Sequence, residues 1–313
     1  MRAIVFDGAG GPEVMRDEVR DDPVPGSAEL LLAVTHAGLN PADIHQRAGN
    51  YPAPPGSPPD IPGLEVAGEV LACGAAVTSW RPGDRVFGIV GGGGQADRVV
   101  VNERHVVAVP ESLTLEQAAA VPEAFITAHD ALVTRCGLRA GETLLVNGAS
   151  GGVGLAAVML GLACGARVLA NARSHRDRLA ELGAEPVDLA DVRGADVIIE
   201  LVGAPNLEAD LDAVATQGRI VVVGTGAGRS FEMSLGKLMG RRATLAGTVL
   251  RARPLEEKAS AVQAFGRQVV PLLASGAVRP VIDRVFPASD AAAAYDYLAA
   301  PGKFGKVLLA MGA

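Results

Sequence analysis

Short apolar runs broken by glycine and proline fill the first third of the chain. Apolar runs alternating with alanine-rich helical stretches fill most of the rest. Leu30–Val34, Glu65–Leu71, Arg85–Gly88 and Ala96–Val101 are rich in Val, Leu and Ile and read as strands. Met1–Asp7 reads as a first strand, lacking the apolar core and cleavage site of a signal peptide. Prolines crowd Tyr51–Pro62 so densely that a surface loop is expected, and such loops often border sites. The four glycines Gly91–Gly94 read either as a phosphate cradle or as a flexible hairpin end. No helix follows to supply a dipole, which favours the hairpin end.

From Thr114 the period becomes helical, with helices over Leu115–Ala120 and Ala124–Cys136 and Pro122 as the break between them. Strands at Leu144–Val146, Gly165–Asn171, Ala195–Val202 and Arg219–Gly224 alternate with helical segments to about Leu250. That alternation marks a parallel sheet covered on both faces. Between a strand at Val187–Leu189 and one starting near Asp196 there is no room for a crossover helix, so a single turn through Asp191–Gly194 is expected instead. Glu256–Ser275 reads as one long helix closing at Gly276, followed by the strand Val281–Phe286, the helix Ala288–Ala299 and the strand Lys306–Leu309. The expected fold is α/β in two parts: a β-rich domain over 1–117 completed by 257–313, and a doubly wound parallel-sheet domain over 118–256. A ligand is expected in the cleft between them.

A chain of 313 residues, 49% of them hydrophobic, can build two real cores. No apolar run reaches the roughly 20 residues of a membrane span. A net charge of −7 and a pI near 5.3 argue against nucleic acid or anionic lipid as partner. Cys73, Cys136 and Cys164 are odd in number and far apart, which argues against a disulfide framework and for a cytoplasmic protein. They read as small buried apolar residues.

The chemistry concentrates at Thr143–Gly154. Asn147, Ala149, Ser150, Gly151, Gly152, Val153 and Gly154 form a glycine-rich turn between a buried strand and an apolar helix. The first amides of a helix lack partners within it, and its dipole favours negative charge there. Gly151 and Gly154 remove side chains that would block a pyrophosphate, and Gly154 also lets helix and strand pack closely. Ala149 stands where the usual fingerprint has its first glycine. The second strand at Gly165–Asn171 completes a βαβ unit and makes this a dinucleotide site. Gly224, Thr225 and Gly226 end a later strand, where open α/β sheets bind ligands. After the second strand comes Asn171-Ala-Arg-Ser-His-Arg-Asp-Arg178, with no carboxylate for a ribose diol before Asp177. Arg173 and Ser174, with Arg178, suit a 2′-phosphate, so NADPH is expected over NADH. Arg176 and Arg178 read equally well as solvated helix charges.

The chain resembles the zinc-free quinone oxidoreductase branch of the medium-chain dehydrogenase/reductase superfamily over nearly its whole length. The motifs are Gly38-Leu-Asn-Pro-Ala-Asp43, Gly49-Asn-Tyr-Pro52, Pro62-Gly-Leu-Glu-Val-Ala-Gly-Glu-Val70 and Arg81-Pro-Gly-Asp-Arg-Val-Phe87. Asn147–Gly154, Gly247-Thr-Val-Leu-Arg-Ala-Arg253 and Phe304-Gly-Lys-Val307 complete them. The resemblance implies a GroES-like substrate domain, a Rossmann cofactor domain and a homodimer. A catalytic zinc needs three protein ligands. Where alcohol dehydrogenases of the superfamily carry cysteines near residue 40 and Gly-His-Glu near 63, this chain has Asn40, Asp43 and Leu64, and no cysteine between 74 and 135. No metal is expected, which directs hydride transfer to an acceptor that delocalises its own charge, a quinone or other conjugated carbonyl.

By resemblance, Asn40 and Tyr51 line the nicotinamide end, and the Tyr51 hydroxyl donates to the substrate oxygen or else packs as a plain loop tyrosine. Asp43 is read as a helix cap or a proton relay. Thr127 lies near the phosphates and nicotinamide ribose, Thr248 and Leu250 flank the nicotinamide, and Lys306 reaches the cofactor. His45 reads as a helix-surface residue and His129 as structural. Two departures weaken the adenine end: Asp177 stands where many relatives have lysine, and Leu189 and Ala190 replace a tyrosine after the third strand. Two rival functions stand beside the leading one. One is an enoyl reductase of a polyketide or fatty-acyl pathway, the other a non-catalytic NADPH-binding sensor or structural protein.

Overall fold

The computed structural model describes residues 1–312. They form two units, Met1–Glu123 with the stretch from Leu250 onward, and Ala124–Val249. The first boundary lies after Glu123 rather than 117, because the helix Leu115–Ala119 packs on the strands Glu29–Leu39 and Glu65–Cys73 of the first unit. The second falls before Leu250 rather than at 257, so Leu250 belongs to the first unit.

The first unit is built on a seven-stranded sheet. Its long strand Glu29–Leu39 pairs antiparallel with Glu65–Cys73 on one edge. The other edge is shared: Arg98–Asn102 pairs with the beginning of the long strand and Lys306–Ala310 with its end. Leu30, Leu32, Val34, Val66, Val86 and Val99 pack into the core beneath. The register sets Val307 opposite Leu39 and Val66 opposite Ala37. Lys306 and Glu65, at the starts of their strands, therefore meet Asn40 at the end of the long one. Gly38 makes room for this meeting: a Cβ there would lie 2.1 Å from Glu65 Oε1.

The second unit is a six-stranded parallel sheet in which the third, second, first, fourth, fifth and sixth strands lie side by side in that order. The strands are Thr143–Asn147, Arg167–Asn171, Glu185–Val187, Ala195–Glu200, Val214–Val222 and Thr244–Gly247. The order reverses between the first and fourth strands, the position where such sheets take ligands at their carboxyl ends. As the sequence implies, the crossover from third to fourth strand is a single turn, a 3-10 turn at Leu189–Asp191, slightly earlier than expected.

Four sequence expectations are corrected. The long helix over Glu256–Ser275 is two helices, Leu255–Gln268 and Val270–Ser275. Pro271 lacks an N–H, and its ring clashes with a carbonyl one turn back. Gly276 closes the second with φ +75°, as its glycine implies. The helix expected over Ala124–Cys136 is α-helical only over Pro122–His129 and continues as a π-helical turn over Asp130–Arg135. Pro122 separates the two helices, as the sequence implies, and opens the second, since its missing N–H is an orphan there anyway. Gly91–Gly94 is not a flexible hairpin end. Gly92, Gly93 and Gly94 are buried, and the Gly93 and Gly94 amides donate to the Ile61 and Gly63 carbonyls. Bare glycines let two backbones approach here. Finally, Cys136 is buried as expected, but Cys73 and Cys164 are half-buried.

Candidate functional site

In the second unit the helix Gly152–Ala163 starts directly from the glycine turn. Gly151 is its N-cap, no side chain caps it, and its first turn carries no acidic residue. Its leading amides remain open to an anion. The glycines divide their work. Gly148 holds φ +83°, which other residues rarely adopt. A Cβ on Gly154 would sit 2.2 Å from Gly148 O, so glycine there permits helix and turn to touch. A Cβ on Gly151 would meet nothing closer than 3.6 Å, so the fold itself does not require that glycine. It leaves open surface beside the amides, a cradle that fits a pyrophosphate. Thr127 adds a second fit: it is buried, and its Oγ1 has no hydrogen-bond partner among the described residues.

Next to the turn, register aligns Asn171, Asn147 and Glu200 in one row across the carboxyl ends of three neighbouring strands. Asn147 Nδ2 donates to Glu200 Oε2 and to Asp210 Oδ1, both at 2.7 Å, and Asn171 Nδ2 donates to Asn147 Oδ1 at 2.9 Å. Glu200 also accepts from the Gly203 amide and from Asn206 Nδ2. Asp210 is fully buried, and burial followed by the Glu200 charge pushes its pKa up to about 8. Its Oδ2 has no hydrogen-bond partner among the described residues. The Asn147 carboxamide is thus spent on holding the strand ends. It positions the turn.

Arg173, on the turn after the second strand, is exposed, and Ser174 beside it is half-buried. Arg178 is exposed on the helix Arg176–Glu181. Arg176 is taken: its Nη1 donates to Asp188 Oδ1 at 2.7 Å. Gly224 lies against Leu201, whose carbonyl would be 2.2 Å from a Cβ there, whereas Gly226 is open and Thr225 exposed. Thr248 Oγ1 donates to Asp130 Oδ2 at 3.1 Å, tying the end of the sixth strand to the π-helical turn.

The first unit gathers its ionisable groups around Lys306. That ammonium is buried and donates to Leu39 O at 2.9 Å and Asn40 Oδ1 at 2.7 Å, and it pairs with Glu65 Oε1 at 2.5 Å. Its three donors meet three acceptors. Asn40 is equally committed, since its Nδ2 donates to Glu65 Oε1 at 2.9 Å. Both ends of its carboxamide serve this cluster. Glu65 Oε2 accepts from the Glu123 amide at 2.8 Å. Asp43 caps the helix Pro41–Arg47 by accepting from the Asn40 amide at 2.8 Å, and it also takes the Gly63 amide. Burial pushes its pKa up to about 6.

Three functional residues escaped the sequence reading. Arg251 is buried, donates to Gly91 O and Gln46 Oε1 at 2.7 Å each, and lies 5.1 Å over the Tyr51 ring. It fixes the proline-rich loop and the tyrosine on it through a cation–π contact. Burial raises the Tyr51 phenol above its ordinary value and keeps it a donor. Glu123 is half-buried, and burial with the neighbouring Glu65 charge pushes its pKa up to about 8. Glu200 is the third. Arg251 stood inside a motif quoted for resemblance; Glu123 follows a helix-opening proline and Glu200 ends an apolar strand, weak local signals.

Zinc does not fit the donors. Glu65 Oε1 already holds an ammonium and an amide donor, its Oε2 holds a backbone amide, and a divalent ion would face the Lys306 charge. Among the described residues no group of three or more His, Cys, Asp or Glu is placed to hold a metal. No helix among them is long and apolar enough to cross a membrane.

A buried polar cluster in the β-rich unit and a glycine cradle at the switch point of the parallel sheet define a two-part oxidoreductase. Comparison with known proteins agrees. The Alcohol dehydrogenase GroES-like domain family matches residues 26–111, and the Zinc-binding dehydrogenase family matches residues 170–309. The chain is 34% identical over 329 residues to the quinone oxidoreductase of Rattus norvegicus, covering 99% of this chain and 97% of that one. The crystal structure of an alcohol dehydrogenase superfamily protein from Novosphingobium aromaticivorans, 33% identical, superposes with a TM-score of 0.88 over 100% of both chains. That of the quinone oxidoreductase of Pseudomonas syringae pv. Tomato, 28% identical, gives 0.88 over 99% of both. The chain belongs to the medium-chain dehydrogenase/reductase superfamily and is an oxidoreductase enzyme.

Proposed function

We propose that the protein is a zinc-independent, NADPH-dependent reductase of quinones and related conjugated carbonyls. The observation that carries this reading is that Glu65 is already engaged by Lys306, Asn40 and a backbone amide, which leaves it no lone pair suited to a zinc ion. Without a Lewis acid, ordinary alcohol oxidation loses its electrophile, whereas an electron-poor acceptor delocalises the arriving charge itself. NADPH, when bound, supplies the hydride. The amides of Gly152, Val153 and Gly154 hold its pyrophosphate and Thr127 its nicotinamide side, with Gly224–Gly226 bordering the same edge of the sheet. Arg173 and Ser174 bind the 2′-phosphate, a role Arg178 is placed to share. Tyr51, held neutral and clamped by Arg251, donates to the acceptor oxygen.

The sixth parallel strand, Thr244–Gly247, is an uncovered sheet edge, and Leu235, Met239 and Val249 expose 63%, 74% and 51% of their surface in the same unit. A second copy pairing along this edge supports the homodimer. Free cysteines support a cytoplasmic setting.

The test is NADPH oxidation against a panel of quinones, enones and acyl thioesters. Quinones and enones turning over, with acyl thioesters inert, supports the reading. Preferred thioesters would make the protein an enoyl reductase, and binding without turnover would make it a sensor. Arg173→Ala should weaken NADPH roughly ten- to a hundredfold and spare NADH, the loss of one charge-assisted bond of about 1.5–3 kcal/mol. Equal losses for both dinucleotides refute the 2′-phosphate assignment.

A further inference from the structure

Hydride transfer leaves the acceptor as an anion, and that anion needs a proton. The proposed reductase chemistry, on which this inference rests, names no source for it. The first unit contains an unusual concentration of ionisable groups, and almost every one is already committed. Lys306 and Glu65 neutralise each other. Asp43 is fully buried and bonded to two backbone amides. Arg251 has three acceptors and the Tyr51 ring. Glu123 differs. It sits in the first turn of the helix Pro122–His129, anchored through its own backbone amide to Glu65 Oε2 at 2.8 Å. Its carboxyl has no hydrogen-bond partner among the described residues, and the residue is half-buried. It lies close enough to Tyr51 to act on the phenol electrostatically.

We propose that Glu123 is the general acid, donating the proton that completes reduction of an acceptor whose carbonyl oxygen is held by Tyr51. With an enone, hydride from NADPH, leaving as NADP⁺, forms a C–H bond at the β-carbon, and the C=C electron pair shifts to the carbonyl oxygen. The resulting enolate takes the Glu123 O–H proton, giving the saturated carbonyl. With a quinone the same hydride and proton give the hydroquinone. The Glu123 carboxylate then regains its proton from water.

The surroundings keep that proton available. Glu65 and Asp43 face Glu123 and favour its neutral form, while Lys306 and Arg251 oppose them; burial outweighs all four and lifts its pKa to about 8. Lys258, on the helix Leu255–Gln268, also faces it, and burial lowers the pKa of that ammonium, weakening it as a stabiliser of the Glu123 anion. An acid poised near the working pH is what proton donation favours.

Glu123→Gln preserves size and the anchoring amide, and unfolding curves check that it folds; Glu123→Asp serves as the conservative control. Wild-type kcat with a quinone or enone should fall as pH rises past about 8, with Glu123→Gln lower by on the order of a hundredfold or more and without that limb. KM should change little, Glu123→Asp should recover part of kcat, and Tyr51→Phe should keep the pH limb while raising KM. On the apo protein, the infrared difference between wild type and Glu123→Gln at neutral pH should contain a protonated-carboxyl band that disappears above about 8. A folded Glu123→Gln with wild-type kcat and the same pH limb overturns the proposal, as does the absence of that band. Wild type that oxidises no NADPH with any acceptor fails at the earlier step, and fells the reductase reading and this one together.

Discussion

Each unit buries carboxyls at the ends of its strands, and the two do so by opposite means. In the first, Glu65 is met by the Lys306 ammonium, a cation built into the chain. In the second, Glu200 is met by amide donors and by the proton on Asp210, with no lysine or arginine among the described residues bonded to it. The first cation is part of the chain itself, whereas a shared proton exchanges with solvent. The contrast suits the places. The Lys306 cluster neutralises Glu65, whose other oxygen anchors the Glu123 amide. The Asp210 pair only braces the strand ends behind a dinucleotide cradle, where a neutral brace does not repel pyrophosphate.

The largest expected effect breaks the tethered pair. Lys306→Met keeps the length of the side chain but leaves Glu65 fully buried without a cation. Losing one partner of a buried pair costs about 3–5 kcal/mol. The urea midpoint should drop accordingly, and Lys306→Met combined with Glu65→Gln should recover a large part, since the uncompensated charge is gone. A single-variant loss below about 1 kcal/mol, the size of an exposed pair, would mean that the ammonium does not hold this site together.

The shared proton predicts a subtler response. Asp210 keeps its proton up to about pH 8 when folded and releases it near 3.8 when unfolded. Folding therefore takes up a proton between those values. The stabilisation from Asp210 is full below 3.8, declines as pH rises towards 8, and stays level above it. Asp210→Asn mimics the protonated acid, with Oδ1 for Asn147 and an N–H for Glu200, and has no proton to lose. Its stability relative to wild type should climb with pH until about 8 and then level off. Parallel stability curves for the two proteins would remove the proton from this account.

What the sequence reveals of all this follows the range of the interactions. The glycine turn and its flanking strands are local and legible, because periodicity and Gly spacing are written in a dozen consecutive residues. The split at Pro271 was equally local; the apolar pattern running past it concealed a residue that forbids a continuous helix. The buried Gly92–Gly94 run could not be read alone, because its glycines serve a backbone thirty residues earlier in the chain. The Lys306–Asn40–Glu65 meeting is the extreme case. It exists only through the register of three strands drawn from opposite ends of the chain. The resemblance directed attention to Asn40 and Lys306 but did not reveal that the two side chains bind each other.

The smallest expected change in stability belongs to the cradle itself and separates folding from binding there. Gly151 has φ −78°, ordinary for any residue, and an added Cβ finds its nearest neighbour at 3.6 Å. Gly151→Ala should therefore alter stability by less than about 1 kcal/mol, the usual range for an N-cap change. The new methyl projects into the open surface beside the leading helix amides, where a pyrophosphate would lie. NADPH and NADH should both bind more weakly, by about tenfold or more, the weight of one charge-assisted hydrogen bond. The shared loss distinguishes this variant from Arg173→Ala, which discriminates between the two dinucleotides. Fluorescence titration of each reduced dinucleotide measures it. Unchanged affinity in a fully folded Gly151→Ala protein would place the pyrophosphate elsewhere and leave the bare glycine without a purpose.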